Sequence, residues 1–184
     1  HYESSQHIGG DLFDIIKLDN NRSLVYIADI SGHGVTAALM TLTVKTIIKM
    51  IVDKNKKNIS LTKILNKLNN VICHNLQKTN YLTILLGIID LNNNTFQHYS
   101  AGHPPVITYN PKTRKANITE QSGGIPVGWM HYYYYDPKDE RTISIDEDTL
   151  YLLFTDGLFE CENKNQDQLG IKGLAQLIEK QKPE

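Results

Sequence analysis

The chain has 184 residues, 40% of them hydrophobic and 21% charged, with a formal net charge of −1. That length suits one domain with a sizeable core, and the near-neutral balance lacks the basic excess of a nucleic-acid-binding surface. Two cysteines, Cys73 and Cys161, have neither the density of a disulfide scaffold nor a metal-ligand spacing; no uninterrupted apolar run reaches the ~18–20 residues of a membrane span, which predicts a cytoplasmic domain without membrane contact.

In chain order, residues 12–18 and 23–30 read as two strands about the polar turn Asp19-Asn20-Asn21. After Gly34 the period changes to that of a helix, with Val35, Ala38, Leu39, Leu42, Ile47, Ile48 and Ile51 as its expected apolar stripe up to Asp53. The Lys-rich residues 54–57 read as a solvated loop. Ser60 is the expected N-cap of a second helix whose buried face carries Ile64, Leu65, Leu68, Val71, Ile72 and Leu76.

Strand patterns then recur over residues 82–91, 95–100, 106–109 and 116–119, separated by Asn- and Pro-bearing turns. The loop from Ser122 to Gly128 contains Gly123-Gly124, the expected base of a mobile flap. The aromatic run Tyr132 to Tyr135 follows it, an expected docking surface for a protein substrate. Strands over 141–145 and 149–154 and an amphipathic helix over 170–180 close the chain. The order predicts an α+β fold.

Three aspartates sit beside glycines where strands begin or end: Gly9-Gly10-Asp11, Asp29-Ile30-Ser31-Gly32-His33-Gly34 and Thr155-Asp156-Gly157. Carboxylates gathered at one point repel each other unless a cation neutralises them. An all-oxygen donor set suits hard divalent ions such as Mg²⁺ or Mn²⁺, and a metal pair suits phosphoester hydrolysis. Neither a Walker loop nor a G-x-S-x-G elbow competes.

Gly9-Gly10-Asp11-Leu12-Phe13-Asp14, Ala28-Asp29-Ile30-Ser31-Gly32-His33-Gly34, Ser100-Ala101-Gly102-His103-Pro104-Pro105 and Phe154-Thr155-Asp156-Gly157 occur in an order that resembles the SpoIIE/RsbU branch of the type 2C metal-dependent protein phosphatases. The resemblance implies two antiparallel β-sheets packed as a sandwich flanked by helices, with two Mn²⁺ or Mg²⁺ ions at one edge. It implies a phosphoserine or phosphothreonine protein substrate, in bacteria commonly an anti-anti-sigma factor of a partner-switching pathway. It assigns Asp11 to both ions, Asp29 and the Ile30 carbonyl to one, Asp156 to the second, and water as the nucleophile. Asp14, Ser31, His33 and His103 are the expected supporting or substrate-contacting positions.

Three departures from the family pattern stand out. The acidic motif of its last strand does not occur before Glu184, which predicts a missing ligand and strand. Ser31 occupies the place of a general-acid histidine found in animal and plant relatives, leaving His33 as the candidate proton donor. No arginine precedes Asp11 to hold phosphate. A chain opening at His1 reads as one phosphatase domain, residues 1–184, excised from a longer signalling protein with an upstream sensor, its helices being where such a sensor acts and a homodimer an open option. Two other readings stay open: a degenerate phosphatase fold serving as a binding scaffold, and a hydrolase of small phosphoesters.

Overall fold

Period-two burial along the central strands divides the molecule into layers. In β2 (Arg22–Ile30), Leu24, Tyr26, Ala28 and Ile30 join one core cluster, while Val25 and Ile27 join another. A strand apolar on both faces must be covered on both. The computed structural model describes residues 10–32, 34–75, 81–121 and 123–181. Strands β1 (Leu12–Lys17), β2, β3 (Leu82–Asp90), β4 (Thr95–Ala101) and β7 (Arg141–Ser144) form an antiparallel sheet in the order β1-β2-β3-β4-β7. A second antiparallel sheet runs β6-β5-β8, built from β5 (Ile107–Asn110), β6 (Lys115–Ile118) and β8 (Leu150–Leu152).

Helices α1 (Val35–Asn55) and α2 (Leu61–Asn75) cover the outer face of the large sheet, and α3 (Gly170–Lys180) covers the small one. The inter-sheet core gathers Val25, Leu85, Phe96 and Val106, with Ile27, Ile89 and Leu153 against them. This is the expected sandwich of two antiparallel sheets flanked by helices.

Close packing fixes the centre of β3. A Cβ on Gly87 would meet Gln97 O at 2.9 Å and Phe96 Cζ at 2.7 Å, closer than any side chain tolerates. Gly87→Ala should therefore cost about 1–3 kcal/mol by overpacking. A urea melt should read this as a lower midpoint at unchanged slope; an unchanged midpoint would refute the packing argument.

Ser60 caps α2 as expected, its Oγ accepting from the Lys63 amide at 3.3 Å. Leu76, expected on the inner face of that helix, lies outside the described residues. The stripe expected for α1 is corrected in its first turns, while Ile47, Ile48 and Ile51 do lie against the core as expected. The face turned inward is Ala37, Met40, Val44, Ile48 and Val52, whereas Val35, Leu39 and Leu42 are more than 60% exposed. Apolar residues surround the first turns of this helix, so periodicity does not select a face there. The helix also runs to Asn55, and Lys56–Asn58 forms a 3-10 turn rather than a loop. With that turn, the segment Val35–Asn58 has a mean hydropathy of 1.7 over its most apolar stretch and is long and apolar enough to cross a membrane by length and composition. Counting uninterrupted runs overlooked it because threonines and lysines break the run; its inward face packs in the core.

Two asparagines of α2 grip the segment after β6. Asn69 accepts from Gly128 N and donates to Met130 O, and Asn66 does the same with Tyr135 N and Tyr135 O, at 2.8–3.2 Å. Val127 in turn exchanges two backbone hydrogen bonds with Leu82 at the start of β3. Gly124, the expected flap base, is held rather than loose: its carbonyl accepts from Gly102 N at 2.9 Å, and a Cβ there would meet Tyr99 Cε1 at 2.8 Å.

Candidate metal centre and catalytic cleft

The register of β1 and β2 pairs Leu12 with Ala28, so one step further Asp11 faces Asp29. Alternation turns Asp29 to the inter-sheet side, with Val25 and Ile27. Asp29 is itself registered against Thr83 on β3. From the small sheet, the turn after β8 brings Asp156 and Glu160 to the same edge. Asp29, Thr83, Gly102, His103, Gln121, Asp156 and Glu160 are among the residues lining one cleft of about 290 Å³.

The charges of this cleft bear on each other. Burial first, then the Asp156 and Asp11 carboxylates, a hydrogen bond with Asp11, and Glu160 drive the Asp29 carboxyl up to about 7. Thr155 Oγ1 donates to Asp11 Oδ2 at 3.0 Å, tying the third aspartate segment to the first. Gly10 makes room for the Ile30 carbonyl: a Cβ at residue 10 would lie 2.6 Å from that oxygen. Ile30 N donates to Gly10 O at 3.3 Å, so the turn carrying Asp29 is pinned against the strand start carrying Asp11.

This donor set fits a hard divalent cation in kind, since it consists of carboxylate and carbonyl oxygens whose mutual repulsion a cation would relieve. Among the described residues, no three His, Cys, Asp or Glu side chains gather closely enough to hold an ion. The carboxylates lie within reach of one another's charge but are not drawn around one point.

The supporting positions fall in different places. Asp14 lies on the opposite face of the sheet from Asp29: it is registered against Tyr26, whose phenol is pushed well above its ordinary range by burial and by the Asp14 charge. Residues three apart in a strand point to opposite faces, which sets Asp14 apart from the cleft. Ser31 extends the β2–β3 ladder, its Oγ accepting from Tyr81 N and its own amide donating to Tyr81 O, both at 2.9 Å. His33 lies outside the described residues. His103 is 1% exposed and lines the cleft beside Asp29 and Asp156.

Burial drives the His103 imidazole down to about 4. A histidine kept neutral in the fold but free to charge when unfolded makes the unfolded state bind more protons below the ordinary pKa. The sign follows: its contribution is complete above about 6.5 and is lost as pH falls toward 4. Between pH 7 and 4.5 the His103 contribution should decline by about 3 kcal/mol, so wild type should lose more stability over an acid melt in that window than His103→Gln, in which the opposing Asp29 contribution is unchanged. An equal decline in both would exclude His103 as its source.

Sequence reasoning passed over Glu160, which reaches the cleft because Glu160 N bonds to Asp156 O at 2.9 Å in a helical turn; the spacing of four from Asp156 was the available signal. Glu162 pairs instead with Gln168 in a bridge, and Asp167 with Asn163, away from the cleft. Thr83 was also passed over, and no local pattern marks it; Thr155 stood within the third acidic motif but was given no role of its own. The aromatic run divides: Tyr132 and Tyr134 are exposed, while Tyr135 is buried with Tyr133 edge-on against it at 4.9 Å.

The sequence profile described as "Stage II sporulation protein E (SpoIIE)" matches residues 19–184. The chain is 24% identical over 161 residues to the phosphoserine phosphatase RsbP of Bacillus subtilis, covering 87% of this chain and 39% of that protein. It is 26% identical over 161 residues to the phosphoserine phosphatase RsbU of the same organism, covering 88% and 46%. The chain thus spans less than half the length of these curated relatives. Among solved structures, the PP2C phosphatase domain of SpoIIE from Bacillus subtilis, with a fragment of its regulatory domain, superposes with a TM-score of 0.75 at 17% identity, covering 97% of this chain and 48% of that one. The fold is that of the 2C-type phosphatases.

Proposed function

The chain belongs to the SpoIIE family, and on that footing we propose that it hydrolyses phosphoserine or phosphothreonine on a regulatory protein, an anti-anti-sigma factor of a partner-switching pathway, with Mn²⁺ or Mg²⁺ at the Asp11–Asp29–Asp156 edge. The observation that carries this reading is the charge of the cleft. Asp29, Asp156 and Glu160 line it, while none of its described lining residues is Lys or Arg. A phosphate dianion would be repelled from such a wall unless divalent cations stood between them.

Asp11, Asp29, the Ile30 carbonyl and Asp156 would hold the ions. Bound there, a divalent pair supplies Lewis-acid stabilisation of the phosphoryl oxygens and an activated water. The residues themselves do the positioning. Thr155 orients the Asp11 carboxylate through Oδ2, Gly10 admits the Ile30 carbonyl, and the cleft admits a phosphorylated side chain from solvent. In-line transfer of phosphate asks little else of the protein.

The test is phosphate release from a phosphoserine anti-anti-sigma protein, with and without Mn²⁺, beside a generic aryl phosphate. Mn²⁺-dependent release from the phosphoprotein supports the proposal; release from the aryl phosphate alone points to a small-phosphoester hydrolase. One observation favours a second reading, a scaffold: the described carboxylates do not close around a point. Tight phosphoprotein binding without turnover at any Mn²⁺ concentration would establish it.

A further inference from the structure

The apolar surface of the segment after β6 is held rigidly toward solvent. Trp129, Met130, Tyr132 and Tyr134 are each more than half exposed, Tyr132 at 90%. Exposed apolar side chains scattered singly are ordinary, but these four adjoin within residues 129–134 and form a patch. Asn69 holds Gly128 N and Met130 O, and Asn66 holds both backbone groups of Tyr135, so the run between them is fixed at either end. Tyr135 is fully buried, its hydroxyl donating to Ile125 O at 3.2 Å. Tyr132 stands at φ +62, a left-handed backbone that is an outlier for a bulky residue and persists only where the surroundings impose it. Anchors on both sides therefore hold an aromatic ring out into water against its own backbone preference.

The patch is continuous with the cleft. Pro126 packs on Gly102, where a Cβ would lie 2.6 Å from its Cγ, and Gly102 lines the cleft. The Trp129 ring meets Tyr81 edge-on at 4.7 Å. Tyr81 extends β3 backward through its two hydrogen bonds with Ser31, so it shares a face with Thr83 two residues on. Thr83 lines the cleft beside its registered partner Asp29. The cleft itself gives a phosphoprotein little grip: none of its described lining residues is Lys or Arg, and its volume of about 290 Å³ takes a phosphorylated side chain, not the protein that bears it. We propose that the surface of residues 129–134 is the docking site of the phosphoprotein substrate, whose apolar residues beside the phosphoserine cover Trp129, Met130 and Tyr132 while the phosphoserine enters the cleft. Aromatic anchors fixed in advance lose little freedom on binding and supply the affinity that an acidic cleft does not. The phosphoryl group is the same in every phosphoserine, so this surface is what tells one phosphoprotein from another and from a small phosphoester.

The inference rests on the phosphatase reading for the identity of the partner, so binding and turnover are read separately. The probe is an anti-anti-sigma protein in its phosphoserine and unphosphorylated forms, with an aryl phosphate beside it. Wild type is compared with Trp129→Ala, Tyr132→Asn and, as control, Leu91→Ala. Asparagine tolerates the left-handed backbone while removing the ring, and Leu91 is exposed at the opposite end of β3 from Thr83. Titration calorimetry uses the unphosphorylated form, which needs no cation in the cleft. Its affinity should fall about tenfold or more in the first two variants and stay within about twofold of wild type in Leu91→Ala. With Mn²⁺, the ratio of kcat/KM for the phosphoprotein to that for the aryl phosphate should fall by the same factor, carried by KM. Binding lost in the two variants supports the docking site even in a protein that turns over neither substrate, in which case it is the phosphatase reading that fails. Phosphoprotein turnover with unchanged ratios overturns the docking site and leaves the phosphatase reading standing. A wild type that binds neither form overturns it, as does a wild-type dimer in sedimentation that both variants dissolve, which gives the patch to a second copy of this chain.

Discussion

Asp29→Asn should reduce divalent-dependent phosphate release by at least about 100-fold and, in the same protein, raise the melting temperature of the cation-free form at pH 8. Both effects have one origin. The Asp29 carboxyl is driven up to about 7 by burial and by Asp156 and Asp11, so the folded state holds a proton that the unfolded state releases near 4. Across the window from about 4 to 7 the folded state binds more protons, and stability falls as pH rises. Asparagine keeps the shape and abolishes the charge. After discounting for the partial exposure of Asp29, the gain at pH 8 is about 1–2 kcal/mol, or several degrees for a chain of this length. At pH 4 wild type and variant should melt together. Added Mn²⁺ should stabilise wild type and leave the variant unmoved. Asp14→Asn is the control, since that carboxylate lies on the other face beside Tyr26: release should change less than about threefold. Full activity in Asp29→Asn, or a melting temperature lowered equally at pH 4 and pH 8, would sink the assignment.

Opposite signs for activity and stability are the mark of a site held together against its own repulsion. The sequence made that repulsion visible without geometry, because Asp11, Asp29 and Asp156 each adjoin a glycine turn at a strand end. Strands were legible for a different reason: β2 and β3 are short apolar runs bounded by turn residues, the pattern of strands covered on both faces. The face of α1 was not legible. Val35, Leu39 and Leu42 satisfy a helical period as well as Ala37, Met40 and Val44 do, and only the sheet beneath decides between them. The separation of Asp14 from the cleft was within reach, because an offset of three residues from Asp11 in a strand reverses the face. His103 was among the expected supporting positions, but what it, Thr83 and Thr155 touch was beyond reach. Their contacts join strands 20 to 144 residues apart, and register between distant strands leaves no trace in a local window.

Gly10→Ala should act on the same centre with the opposite sign on stability. Gly10 has no left-handed backbone to protect, so alanine meets no conformational strain there; the obstacle is contact. Its Cβ would lie 2.6 Å from Ile30 O and 3.4 Å from Asp29 Oδ1. The nearer atom belongs to the backbone, which yields only by moving the whole peptide. Moving it displaces the carbonyl proposed as a ligand and breaks the Ile30 N to Gly10 O bond of 3.3 Å, which joins the two acidic segments. Stability should fall by about 1–3 kcal/mol, and Mn²⁺ affinity and phosphate release should each fall about tenfold or more. Gly34→Ala separates the two causes. That residue sits at φ +74 and ψ −149, a region open essentially only to glycine, and a Cβ there would meet nothing within 4 Å, so its cost is backbone strain of about 1–3 kcal/mol without displacement of an oxygen. If Gly34→Ala lost as much Mn²⁺ affinity as Gly10→Ala, general strain in the turn would explain both. If only Gly10→Ala lost it, the Ile30 carbonyl is held in place by the absence of a side chain at residue 10.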